Sequence, residues 1–217
     1  MTSGEGHQPV EHEHLTIARE DSVAVVTLNR PRVLNALNSV LLRELFSTFA
    51  ALDADDETAV IVVTGAGDRA FSAGADIKEM ARLQDEGKPS QTHGYAEAFW
   101  ALADSSKPTV GALNGLCYGG GALLAAALDI RIGCHRTAFK FLGATYGRIN
   151  STWVLPSLTG ISFAKELLFT GRVVQADEAH RIGLLNRLVE PGEVLPAAIE
   201  LARSIAGNDQ RIVRGAK

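Results

Sequence analysis

Phe71-Ser72-Ala73-Gly74-Ala75-Asp76-Ile77-Lys78 and Asn114-Gly115-Leu116-Cys117-Tyr118-Gly119-Gly120-Gly121 are the two stretches that decide how this chain reads. The first leaves an apolar, strand-like region and enters a segment with helical character. The second follows another strand-like run and opens a helix rich in Ala and Leu. Small residues let backbone N–H groups approach a ligand closely. A helix N-terminus adds free donors and the positive end of a dipole. Two such N–H groups aimed at one point would hold a carbonyl oxygen that gains negative charge during a reaction. Close helix–sheet packing also calls for small residues and would explain either turn alone. Two such turns, each between strand and helix, favour the anion-holding reading.

Outward from these turns, Thr58 to Thr64 is a continuous apolar run rich in β-branched residues. It fits a strand buried on both faces of a parallel sheet. Thr109 to Leu113, Asp129 to Ile132 and Ala138 to Phe141 read as further strands. Leu15 and Ile17 alternate with polar residues, Asp21-Ser22 marks a turn, and Val23 to Leu28 alternates again, which predicts a β-hairpin. Leu41, Leu45, Phe49 and Leu52 recur at helical spacing, so Val40 to Leu52 is expected as an amphipathic helix capped by Asn38 or Ser39. Helices are also expected at Gly119–Leu128, Ser162–Phe169, Ala176–Arg181 and Glu193–Ala206, with Leu188-Val189 extended and Gly207-Asn208 as a stop. Strands alternating with helices predict an α/β fold. Leu83 to Gly94 reads as a mobile loop.

The chain has 217 residues with a net charge of −4, which suits one domain with a sizeable core and gives no basic footprint for nucleic acid. At 46% hydrophobic residues it is too apolar for a disordered chain. No apolar run is long enough to span a bilayer. Cys117 and Cys134 lie far apart without C-x-x-C spacing, which favours a reducing, cytoplasmic setting over a disulfide framework. Residues 1–13 are expected to be a flexible tail, with neither signal peptide nor anchor. His7, His12 and His14 are read there as solvated side chains, with no metal site.

A competing reading starts at Gly65-Ala66-Gly67-Asp68-Arg69-Ala70, which matches G-x-G-x-x-A with Asp85 downstream. It would make the protein a nicotinamide-dependent oxidoreductase. That fingerprint should open directly into a helix, and Phe71-Ser72-Ala73-Gly74 is a poor helix start.

Taken in order, several motifs together resemble the enoyl-CoA hydratase/isomerase (crotonase) superfamily. They are Arg32-Val33-Leu34-Asn35-Ala36-Leu37-Asn38; Val63-Thr64-Gly65 through Asp76; Lys107-Pro108; Asn114-Gly115 with the triple glycine; Asp129-Ile130-Arg131; Leu155-Pro156; Thr170-Gly171-Arg172; and Ala176-Asp177-Glu178-Ala179 before Gly183-Leu184. The resemblance implies a crotonase-like spiral of ββα turns over residues 14–190, with 191–217 beginning a C-terminal helical region that is shorter than usual. It implies an acyl-CoA thioester ligand, no separate cofactor because coenzyme A arrives with the substrate, and a homotrimer or hexamer. Carried over by position, the oxyanion donors are the N–H groups of Ala75 and Gly120. Ala73, Asp76, Ile77 and Lys78 line the thioester and pantetheine, and Val33 with Arg30 and Arg32 lies along the nucleotide.

The sequence departs from the family at the acid–base pair. Hydratases of the family use two glutamates, and here Leu123 and Gly143 stand at those positions. General acid–base groups are worth about 10²–10⁴-fold in rate, which argues against an efficient hydratase. Tyr146 is the nearest titratable candidate; Tyr118, His93 and Tyr95 are others. The expectation is an acyl-CoA isomerase, decarboxylase or thioester hydrolase acting through an enolate, or a non-catalytic acyl-CoA binding subunit.

Overall fold

The structure is a computed structural model that describes residues 12–88, 99 and 102–217. His93 and Tyr95, most of the expected tail and most of the expected loop lie outside the described residues. Leu83 to Asp85, expected in that loop, instead complete a helix, because Leu83 is buried on its inner face.

β1 (Leu15–Glu20) and β2 (Val23–Leu28) form the expected antiparallel hairpin, turning at Asp21 with φ 56°. α1 (Ser39–Ala54) follows, and the Asn38 side chain accepts from the Leu41 N–H as its cap. Three strand pairs then repeat one plan. β3 (Val60–Gly65) leads to β4 (Ala70–Ser72) and α2 (Ile77–Asp85). β5 (Thr109–Leu113) leads to β6 (Leu116–Tyr118) and α3 (Gly120–Ala127). β7 (Ile130–Gly133) leads to β8 (Ala138–Lys140) and, after a loop, α4 (Leu155–Thr159) and α5 (Ile161–Thr170). Then come β9 (Val173–Gln175), α6 (Ala176–Arg181), β10 (Arg187–Leu188), α7 (Val194–Ala206) and α8 (Gln210–Ala216).

Each pair places its first strand in a six-stranded sheet, ordered β1-β2-β3-β5-β7-β10, and its second in a four-stranded sheet, ordered β4-β6-β8-β9. That is a spiral of ββα turns. β3 is buried at every residue because both faces of the large sheet are covered. Ala24, Val26, Ile61, Val63 and Leu113 face α1 and α3, while Val23, Val25, Val60, Val62 and Val110 face α7. A strand covered on both sides must be apolar at every position, which explains its unbroken run.

Two buried cations hold the frame. Lys107 donates to the carbonyls of Asp55 (2.9 Å) and Thr58 (2.8 Å), and burial lowers its pKa. Arg131 donates to the carbonyls of Leu184 (2.8 Å) and Leu128, and burial lowers its pKa to about 10. These contacts account for the Lys107-Pro108 and Asp129-Ile130-Arg131 motifs.

The G-x-G-x-x-A stretch opens no helix. Gly65 ends β3, and the next element is β4, so the nucleotide-binding reading loses the helix N-terminus it needs. The regions missed in sequence are short: β6, β9, α4 and α8.

Gly121 packs directly on β4. A Cβ there would overlap the Ser72 carbonyl oxygen and lie 2.8 Å from its carbon. Gly121→Ala should therefore cost about 1–3 kcal/mol, a fall in Tm of roughly 2–4 °C for each kcal/mol in a domain of this size. Gly192→Ala, with nothing within 4 Å of the added methyl, is the neutral control in the same thermal melts. Equal melting of the two variants would refute the close approach.

Candidate active site

Residues 34–37 fix the first turn. Leu34 and Asn35 both take φ 54°, and the buried Asn35 donates through Nδ2 to the carbonyls of Ala66 (3.0 Å) and Ala70 (2.9 Å). Ser72 Oγ donates to the Asn35 carbonyl at 2.8 Å and accepts the Gly74 N–H at 3.2 Å. Leu37 then bridges Ala75: its N–H donates to the Gly74 carbonyl (2.7 Å), and its carbonyl accepts the Asp76 N–H (3.0 Å). In such a parallel bridge the groups on either side of Ala75 face Leu37, so the Ala75 N–H points the other way. It has no hydrogen-bond partner among the described residues.

Gly120 is the first residue of α3, where an N–H has no carbonyl one turn back. Gly119, at φ 50°, donates to the Lys140 carbonyl, and its own carbonyl accepts from Ala122 and Leu123. The Gly120 N–H is likewise without a partner among the described residues. The two turns touch: a Cβ on Gly74 (φ 86°) would lie 2.8 Å from the Gly120 nitrogen.

Both Ala75 and Gly120 line a cavity of about 730 Å³. α2 contributes Ile77 and Met80; α3 contributes Leu123 and Ala127; Phe99 adds an aromatic wall. The far wall is Leu142, Gly143, Tyr146 and the segment 148–154. Leu123 and Gly143, the positions that the resemblance assigns to glutamates, face this same space. Tyr146 lines it too and is 63% exposed. Tyr118 is absent from its described lining. Among the described lining residues none is Asp, Glu, His or Cys, and the titratable ones are Tyr146 and Arg148.

The residues expected along coenzyme A divide in three. Ala73 and Ile77 line the cavity. Arg32, Val33 and Lys78 are exposed, and neither Arg32 nor Lys78 has an ion pair among the described residues. Arg30 and Asp76 are bound to each other at 2.9 Å, with side chains only 15% and 14% exposed. Asp76 also caps α2, accepting the Glu79 N–H. Burial would raise the Asp76 carboxyl, but the Arg30 hydrogen bond and the helix N–H groups outweigh it and hold its pKa below the ordinary value.

Arg148, Asn150 and Ser151 were not singled out from sequence. Ser151 takes φ 53° and is buried, and the buried Oδ1 of Asn150 has no hydrogen-bond partner among the described residues. The available signal was their position, immediately after the turn that holds Gly143.

The family model for enoyl-CoA hydratase/isomerase matches residues 18–217. This chain belongs to the enoyl-CoA hydratase/isomerase family. A short-chain-enoyl-CoA hydratase of Clostridium acetobutylicum is 40% identical over 92% of this chain and 77% of its own length. A crotonyl-CoA hydratase of Syntrophomonas wolfei is 37% identical over 95% of this chain and 80% of its own. The crystal structure of an enoyl-CoA hydratase from Bacillus anthracis superposes with TM-score 0.87 at 33% identity, covering 94% of this chain and 81% of that one. Membership in the enoyl-CoA hydratase/isomerase family agrees with the crotonase fold of paired sheets and ββα turns.

The Arg30–Asp76 pair gives a pH-dependent prediction. Asp76 has a folded pKa below its unfolded value, so its contribution is present above the unfolded value, about 4, and is lost as pH falls through the folded one. Arg30→Gln should cost roughly 1.5–3 kcal/mol at pH 7. Urea denaturation at descending pH should show the gap to the parent closing below about pH 4. A gap independent of pH would mean that the pair contributes no charge interaction.

Proposed function

We propose that the protein binds an acyl-CoA thioester with its carbonyl oxygen between the N–H groups of Ala75 and Gly120, and stabilises the enolate formed there. What supports the reading is the pair of partnerless amides, on two turns in contact, at one cavity. The N-terminus of α3 adds favourable potential to that point. Such donors act without reorganising as charge develops. Arg32 and Val33 form the exposed surface for the nucleotide, exposed Lys78 lies on the pantetheine side, and Ala73 and Ile77 form the wall along the thioester. The assembly is a homotrimer or hexamer, on the strength of the resemblance.

Hydration is not its efficient reaction. Adding water to an enoyl thioester needs one group to activate the water and one to protonate the α-carbon. Leu123 and Gly143 can do neither. Tyr146, which lines the cavity, is our candidate for the side chain that carries a proton, in an isomerase, decarboxylase or thioester hydrolase. A second reading, non-catalytic acyl-CoA binding, is favoured by the same lack of carboxylates among the described residues of the cavity. A panel of acyl-CoAs assayed for both turnover and calorimetric binding separates the two.

Proline at the first helical position is compatible with a helix; it removes the N–H and puts its ring Cδ where that hydrogen pointed. Gly120→Pro should reduce turnover of whichever thioester reacts by about 10²–10³-fold, while Gly120→Ala, which keeps the N–H, should lose far less. Equal losses would displace the oxyanion site from Gly120.

The parent should hydrate crotonyl-CoA at least ~10²–10⁴-fold more slowly than an efficient hydratase, read as loss of enoyl-thioester absorbance. Leu123→Glu with Gly143→Glu should hydrate faster than either single variant. A Cβ at Gly143 meets the Arg148 carbonyl oxygen at 2.8 Å and Asn150 Oδ1 at 2.9 Å, so the gain requires segment 148–150 to give way. A fast parent would overturn the assignment and make Tyr146→Phe the next variant to assay.

A further inference from the structure

Arg148 is a cation at the wall of the cavity with no counter-ion among the described residues. Arg30 is matched by Asp76, Arg131 by carbonyls and Arg172 by Glu166 and Glu178, whereas Arg214, on α8 and not among the cavity's described lining, has a buried Nε without a partner among the described residues. Half-buried Arg148 has no ion pair and no side-chain hydrogen bond among the described residues. It is the one charged residue among the described lining of the cavity. The positive end of α3 faces the same space, so both sources of potential have one sign.

A plain hydrocarbon chain filling the cavity beside half-buried Arg148 would strip hydration from its guanidinium without giving its donors a partner, which is costly. Its planar fork matches a carboxylate with two parallel hydrogen bonds. Arg148 is also tied to the acyl side. Its N–H donates to the Gly143 carbonyl at 2.8 Å, beside the position where Gly143 stands in place of a glutamate. The exposed residues assigned to the nucleotide, Arg32 and Val33, are absent from the described cavity lining.

We propose that Arg148 binds a carboxylate carried by the acyl group, so that the preferred ligands are carboxyacyl-CoA thioesters rather than unsubstituted alkanoyl ones. The proposal rests on the acyl-CoA reading above and names its substrate class. The other anion Arg148 could meet is a phosphate of coenzyme A, which every acyl-CoA carries equally.

Calorimetry with malonyl-, succinyl-, glutaryl- and butyryl-CoA tests it on the parent, Arg148→Gln and Arg148→Lys, each checked for an unchanged melting profile. The parent should bind at least one carboxylated thioester roughly 10- to 100-fold more tightly than butyryl-CoA, the range of a charge-assisted hydrogen bond. Arg148→Gln should abolish that preference, with the loss confined to carboxylated ligands, and Arg148→Lys should restore part of it. Equal affinities in the parent would overturn the proposal while leaving the acyl-CoA reading intact. Equal weakening of all four ligands in Arg148→Gln would also overturn it and assign Arg148 to a phosphate. Failure of every thioester to bind would overturn the acyl-CoA reading itself, and this inference with it.

Discussion

The contact between two backbone turns governs this molecule. Gly74 lies against the Gly120 nitrogen, and Gly121 lies against the carbonyl of Ser72. Neither approach leaves room for a β-carbon, so Gly74 and Gly121 must stay glycine. Everything around them serves the approach. Asn35 fastens the first turn to Ala66 and Ala70, and Leu37 sets its register. The second turn is held by the bond from Gly119 to Lys140 and by the start of α3.

The two sheets explain why those turns can meet. Each ββα unit sends one strand to the large sheet and the next to the small one. The loops that cross between sheets are therefore stacked in parallel, one repeat above another. The turns after β4 and β6 become neighbours because β4 and β6 are paired strands, Ala70 with Leu116 and Ser72 with Cys117. The cavity forms where these turns, α2 and α3 leave space beneath the loop after β8.

Much of this was legible in sequence, for identifiable reasons. β3 announced itself because burial on both faces demands an unbroken apolar run, and α1 because only one of its faces is buried. The triple glycine and the Ser72–Ala75 turn were readable because steric exclusion leaves few residue choices. β6, β9 and α4 escaped because elements of three to five residues are set by their neighbours, with too few positions to show a period. The fate of Arg30 and Asp76 was hidden as well. Both were read as ligand contacts, and the reading did not foresee that the fold brings them together across 46 residues of chain into a pair at 2.9 Å. Arg148 and Asn150 carried no pattern of their own, and only the closing of segment 148–154 over the cavity gives them meaning.

Since Ala75 and Gly120 face the cavity with backbone amides that have no partner among the described residues, what these turns present there is specified by chain path rather than by side-chain identity. A change of residue elsewhere in the lining can alter the shape or polarity of the cavity without touching those amides. Leu123 and Gly143 are such lining positions. The architecture is thus open to divergence: selection can retune a few lining positions while the amides stay in place. A scaffold of that kind can lose one activity and acquire another without passing through a form that no longer folds.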